Sequence, residues 1–200
     1  MLSKLRPIYN EFMVPFGRAS IKMGFTPDAW TIFSLIAALL SGLMLAQGRF
    51  WWGFALSLVM FAGDMMDGAT ARARGITNKF GTVLDHVVDR YVEFIIVGGL
   101  LIGGWLSPFG AIFSSSGIVM ASYVRAKAES AGGLQECVVG IAGRLEKLLI
   151  IYAALIFFGL GLRIVAEYAF WFVGLISHIT ALQRLVYTRS RILSSQSETS

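Results

Sequence analysis

Four of the chain's five aspartates fall between positions 64 and 89, as two pairs, Asp64 with Asp67 and Asp85 with Asp89. Spacings of three and four put each pair on one face of a helix, so two helices can offer four converging carboxylates. Apolar sequence at 51–61 and 92–101 flanks the pairs, which places the carboxylates at the edge of a membrane. Left unpaired, each would cost roughly 2.5 to 3.5 kcal/mol and the four on the order of 10 kcal/mol, so positive charge must stand among them. Hard oxygen donors, with no cysteine nearby and His86 as the one neighbouring histidine, select magnesium, manganese or calcium over zinc or copper. Four carboxylates exceed what one magnesium ion normally takes from a protein, and a bridged ion pair completed by a phosphate-bearing substrate fits the count better. Gly68 lets such a substrate approach the backbone, and Arg72 stands one helical turn on, within reach of a phosphate.

The elements that carry these residues are membrane helices. A chain of 200 residues that is 56% hydrophobic and 14% charged is too apolar for a soluble globule of its size. The net charge of +5 does not indicate a nucleic-acid partner, because the cations segregate. With the spans placed as below, every lysine and arginine except Arg49 and Arg163 falls on one side. The positive-inside rule makes that side cytoplasmic, together with both termini and the aspartate cluster. The single cysteine, Cys137, excludes an internal disulfide and a multi-cysteine metal site. Pro7 and nearby charges interrupt the start of the chain before any apolar run develops, so the first span is expected to act as its own insertion signal.

The expected architecture is an all-α integral membrane protein of six transmembrane helices, preceded by an amphipathic helix at the interface. The latter, within 1–24, rests on Leu2, Leu5, Ile8, Tyr9, Phe12, Met13 and Phe16 recurring at helical spacing, with Pro15 and Gly17 expected to interrupt it. The spans are read at 28–46, 51–73, 81–102, 108–129, 144–162 and 164–187, each near the roughly 20 residues a bilayer requires. They form one domain over 25–190, followed by a flexible polar tail at 191–200. Thr26 or Asp28 can cap the first span, with Pro27 in its first turn. Small residues at Gly98 and Gly99, and from Ser114 to Gly117, point to tight helix packing or a dimer seam. His178 is expected to be an interhelical hydrogen-bond partner, and His86 to point about 100° off the aspartate face.

The pattern D-x-x-D-G-x-x-A-R-(x8)-G-x-x-x-D-x-x-x-D is matched at all eight fixed positions from Asp64 to Asp89. It resembles the signature of the CDP-alcohol phosphotransferases, integral membrane enzymes that make phospholipids. The resemblance implies that Asp64, Asp67, Asp85 and Asp89 bind two magnesium ions, with manganese as an alternative, and that Asp89 is also the base that takes the acceptor's proton. It implies a CDP-lipid donor, CDP-diacylglycerol or CDP-archaeol, held by Gly68, Arg72 and Asn78 and by the element Asp28, Ala29, Trp30 and Thr31; for that element, helix capping alone remains the competing reading. Residues around Arg125, Arg144 and Arg184 are similar to the branch that uses inositol phosphate, where a basic residue at each position holds the acceptor's phosphate. Each of the three also reads as a positive-inside anchor, and glycerol 3-phosphate is the next acceptor in line. The resemblance further implies a homodimer in the cell membrane with its active site in the cytoplasm. A divalent-cation transporter is the competing class. It would need polar groups continuing across the membrane, and spans two and three offer few beyond the cytoplasmic end, where Arg72 and Arg90 would repel cations.

Overall fold

Seven helices and no strand account for the described residues, 6–75 and 78–198 of this computed structural model, with side chains described over 12–75 and 78–194. In order they are α1 (Arg6–Lys22), α2 (Pro27–Ala46), α3 (Phe50–Arg74), α4 (Lys79–Ile102), α5 (Pro108–Ser130), α6 (Arg144–Gly159) and α7 (Arg163–Glu198). Local chemistry sets the starts: Thr26 accepts from the Ala29 amide ahead of Pro27, Asn78 from Phe80, and Ser107 from Gly110 ahead of Pro108. Gly75, at φ 65°, closes α3 in the left-handed conformation.

Two boundaries differ from expectation. Helix α1 runs through both Pro15 and Gly17 to Lys22. Proline costs the helix one hydrogen bond, and Gly17 is a contact instead of a stop: a methyl group there would run into the Ala69 carbonyl of α3. The first residues of the expected amphipathic stripe, Leu2 and Leu5, lie outside the described residues, as do the side chains of Ile8 and Tyr9. At the other end, the tail expected to be flexible from 191 is helical through Glu198; serine, glutamine and glutamate continue a helix that is already nucleated. Thr199 and Ser200 lie outside the described residues, as do Ile76 and Thr77 in the expected basic turn.

Contacts divide the chain, read as one domain from sequence, into Met1–Trp105 and Leu106–Ser200. In the first unit α2 packs against both α3 and α4, and α1 against α3. The approach of α2 to α4 is backbone to backbone, since a methyl carbon on Gly99 would lie 2.5 Å from the Gly42 carbonyl oxygen. In the second unit α7 packs against α5 and α6. There Ser114 is fully buried, a methyl carbon on Gly117 would meet the Gly174 carbonyl at 2.7 Å, and Glu167 of α7 accepts from the Ser107 amide at 3.0 Å and from Trp171 Nε1 at 3.1 Å. Gly99, Ser114 and Gly117, read as packing or dimer-seam residues, are thus spent on packing inside the chain. His178 meets its expected role through Ser116 Oγ, 3.5 Å from Nε2.

Polarity is distributed inside out. Ser20, Ser34, Ser41, Ser57, Thr70 and Thr180 are buried, while Ile32, Ile36, Leu39 and Leu43 of α2 and Tyr168, Phe172 and Leu175 of α7 are exposed. Large apolar side chains outside and small hydroxylated ones between helices suit a lipid surround. By length and composition alone, α2 and the stretch Arg163–Ser194 of α7 qualify as membrane spans among the described residues. Helices α3, α4 and α5 have 25, 24 and 23 residues, long enough to cross, but charged or hydroxylated residues dilute their apolar character.

Candidate active site

Three of the four motif aspartates meet. Asp64 and Asp67 from α3 and Asp85 from α4 each offer a carboxylate oxygen, all within 4.8 Å of one another. Oxygens sharing a magnesium-sized cation at about 2.1 Å stand at most about 4.2 Å apart, so small carboxylate rotations suffice to close the set on an ion. Three carboxylate oxygens, with no sulfur or nitrogen among them, form a set that could hold a hard divalent cation. Asp67 is the most enclosed, 8% exposed, and its Oδ2 accepts a 3.0 Å hydrogen bond from Thr31 Oγ1 of α2, itself buried. Helix α2, which packs on both aspartate-bearing helices, therefore also reaches into their cluster.

Asp89 is not one of the trio. It lies one turn after Asp85 on α4, 6% exposed, with the Arg90 guanidinium 3.8 Å away. Arg90 pairs more closely with Glu93, at 2.6 Å. His86 is exposed and is not in the trio.

Around the trio, Gly68 and Arg72 come together: a methyl carbon on Gly68 would lie 3.1 Å from an Arg72 guanidinium nitrogen, so the absent side chain leaves room for that head group. Asp28 comes close to the first turn of α4, where a methyl carbon on Gly81 would lie 2.8 Å from its Oδ1 and 3.5 Å from Asn78 Nδ2. Asn78 itself caps α4 through its side-chain oxygen. The Ala29 amide is taken by the Thr26 cap, so the capping reading of this turn holds at that atom. Trp30 has a packing role: it stacks on Phe25 with ring centroids 5.0 Å apart, and its Nε1 donates to Ser20 Oγ of α1 at 2.7 Å. The hydroxyls of Ser20 and Thr70 bond at 2.9 Å, so α1, α2 and α3 meet at one buried node beside the cluster.

Sequence reasoning missed this node and the bond from Thr31 to Asp67. Their one signal was hydroxylated residues on helix faces that point inward, which hydropathy alone does not separate from solvent-facing ones.

The basic residues of the second unit do not all behave as free cations. Arg184 donates from Nε to the Val139 carbonyl at 2.9 Å and from an Nη to the Ala121 carbonyl at 2.6 Å, tying the segment after α5 to the helix itself. Arg125 donates to Glu129 at 2.9 Å, and the same carboxylate oxygen accepts from the Cys137 amide at 3.0 Å. Arg125 and Arg184 are near enough to repel each other. Arg144 opens α6 and is exposed.

Known proteins share both the sequence and the fold. The sequence model of the CDP-alcohol phosphatidyltransferase family matches residues 25–183. A phosphatidylinositol phosphate synthase of Mycobacteroides abscessus is 34% identical over 199 residues, covering 92% of this chain and 87% of the relative. An archaetidylinositol phosphate synthase of Pyrococcus horikoshii is 32% identical over 193 residues, covering 96% of this chain and 98% of the relative. The structure of Mycobacterium tuberculosis phosphatidylinositol phosphate synthase with CDP-DAG bound is similar at a TM-score of 0.77 and 27% identity, over 89% of this chain and 94% of that one. The same enzyme in complex with manganese and citrate matches at a TM-score of 0.75 and 27% identity, over 88% of each chain. With the aspartate signature intact and the family match spanning helices of both units, the chain belongs to the CDP-alcohol phosphatidyltransferase family.

Proposed function

We propose that this chain transfers the phosphatidyl-type group of a CDP-lipid to a hydroxyl of an inositol phosphate and releases CMP. The observation that carries the reading is the convergence of Asp64, Asp67 and Asp85 from two helices on one point. The structural relatives with CDP-DAG and with manganese bound, and the names of the sequence relatives, support the donor, the metal requirement and the acceptor.

In this reading Asp64, Asp67, Asp85 and Asp89 hold two magnesium ions, with manganese able to substitute. Bound there, the ions would neutralise the donor's diphosphate and the charge that develops on the leaving phosphate. Asp89 takes the proton from the acceptor hydroxyl, and the hydroxyl oxygen bonds to the lipid-side phosphorus. The bond from that phosphorus to the CMP oxygen breaks, and CMP carries away the electron pair. Its position one turn beyond Asp85 suits a carboxylate that faces the acceptor as well as the cation. Asp28, Ala29, Trp30, Thr31, Gly68, Arg72 and Asn78 surround the nucleotide and its phosphates; Gly68 leaves room, and Arg72 supplies a charge-assisted donor. Arg125, Arg144 and Arg184 bind the acceptor's phosphate. The same reading has six spans, α1 in the cytoplasmic interface, both termini and the active site on the cytoplasmic side of the cell membrane, and a homodimer as the working form.

The test is a panel of inositol phosphate, glycerol 3-phosphate, serine and free inositol, each with one CDP-lipid and magnesium. Inositol phosphate is expected to give labelled lipid and CMP at the highest kcat/KM. Turnover is expected to stop on exhaustive chelation and to return with magnesium or manganese. Undiminished activity in chelator would overturn the reading.

A further inference from the structure

We propose that Thr31 is a positioning residue that fixes Asp67 for the cation, so that the turn at 28–31 and the metal ligands act as one piece. The inference rests on the metal-holding role proposed for Asp64, Asp67 and Asp85.

Thr31 Oγ1 carries one proton and has two acceptors in range, Asp67 Oδ2 at 3.0 Å and the Pro27 carbonyl at 3.2 Å. The carboxylate oxygen is the nearer of the two, and it accepts the hydrogen bond. At 3% exposure for Thr31 and 8% for Asp67, water does not compete for the bond. A carboxylate with one oxygen so held has its remaining rotation restricted, which limits how it can be turned toward Asp64 and Asp85. The donor is itself braced: Trp30, the preceding residue, bonds to Ser20 of α1, and Ser20 bonds to Thr70, one turn after Asp67 on α3. The first turn of α2 thus grips the metal-bearing helix at two adjacent turns, through Thr31 directly and through Trp30 by way of α1.

With its hydroxyl committed to Asp67, Thr31 serves the donor through Asp67 and the cation instead of by side-chain contact with the nucleotide. The two roles separate experimentally. Mn²⁺ binding to the purified chain, without donor or acceptor, is followed by the electron paramagnetic resonance signal of free Mn²⁺. A hydrogen bond to a charged group contributes about 1.5 to 3 kcal/mol, so Thr31→Val is expected to weaken Mn²⁺ binding by roughly 10- to 100-fold. Thr31→Ser, which keeps the hydroxyl, is expected to stay close to the parent. In turnover, raising the metal concentration should restore the kcat of Thr31→Val. Melting without metal verifies that each variant is folded, and Thr31→Ala replaces the valine variant if that one is not. Unchanged Mn²⁺ affinity together with a raised CDP-lipid KM would overturn the proposal in favour of direct nucleotide contact. If the parent chain binds no Mn²⁺ at all, the metal reading fails, and this inference fails with it.

Discussion

Asp89 differs from its three partners in one respect: it lies one turn after Asp85 on α4 and is not in the oxygen cluster that Asp64, Asp67 and Asp85 form. If Asp89 is the base, as proposed, Asp89→Asn should abolish transfer while CDP-lipid binding, measured directly, largely survives. An active Asp89→Asn enzyme would remove the residue from the mechanism. Arg184 is expected to show two effects at once. Its bonds to the Val139 and Ala121 carbonyls would be lost in Arg184→Ala, lowering stability by about 2 to 4 kcal/mol in addition to raising the acceptor's KM. Arg144→Ala should raise the acceptor's KM far more than the donor's; equal effects on both would count against a phosphate-binding role. The convergence of Asp64, Asp67 and Asp85 was legible because spacing along a helix converts directly into a shared face, whereas the expected fourth member, Asp89, is not in that cluster. The carbonyl bonds of Arg184 were not legible, because a bond to a carbonyl 45 residues away leaves no trace in local sequence.

The helices were readable element by element, since capping residues such as Thr26, Asn78 and Ser107 mark helix starts within a residue or two. The errors came where Pro15 and Gly17 were weighed as local punctuation. Glycine against a neighbouring backbone serves packing, and only the neighbour, here Ala69, reveals that use. The contact of Gly99 with Gly42 makes a related prediction. Alanine favours a helix over glycine by up to about 1 kcal/mol. The obstacle is backbone that no rotamer change can move, so overpacking at about 1 to 3 kcal/mol should prevail. Gly99→Ala is therefore expected to melt lower than the parent in a thermal scan, and to lose Mn²⁺ affinity as α4, with Asp85, is pushed away from α2.

Over the whole molecule, membrane orientation can be tested with the chain's own cysteine economy. Cys137 is fully buried and should give little background with a membrane-impermeant maleimide. In intact cells Arg49→Cys should be labelled, and Arg189→Cys only after permeabilisation; the reverse pattern would invert the proposed topology. Composition made a membrane protein legible, but the division at Trp105 was not, because unit boundaries follow which helices touch and not how apolar each is. The two faces of α2 carry a last consequence. Thr31, Ser34, Ser41 and Gly42 face inward, and Ile32, Ile36, Leu39 and Leu43 face outward, so no position is asked to satisfy both the solvent and the chemistry. A water-soluble redesign could exchange the outer set for glutamate and lysine while keeping the inner set letter for letter, and cation capture should outlive the loss of the bilayer.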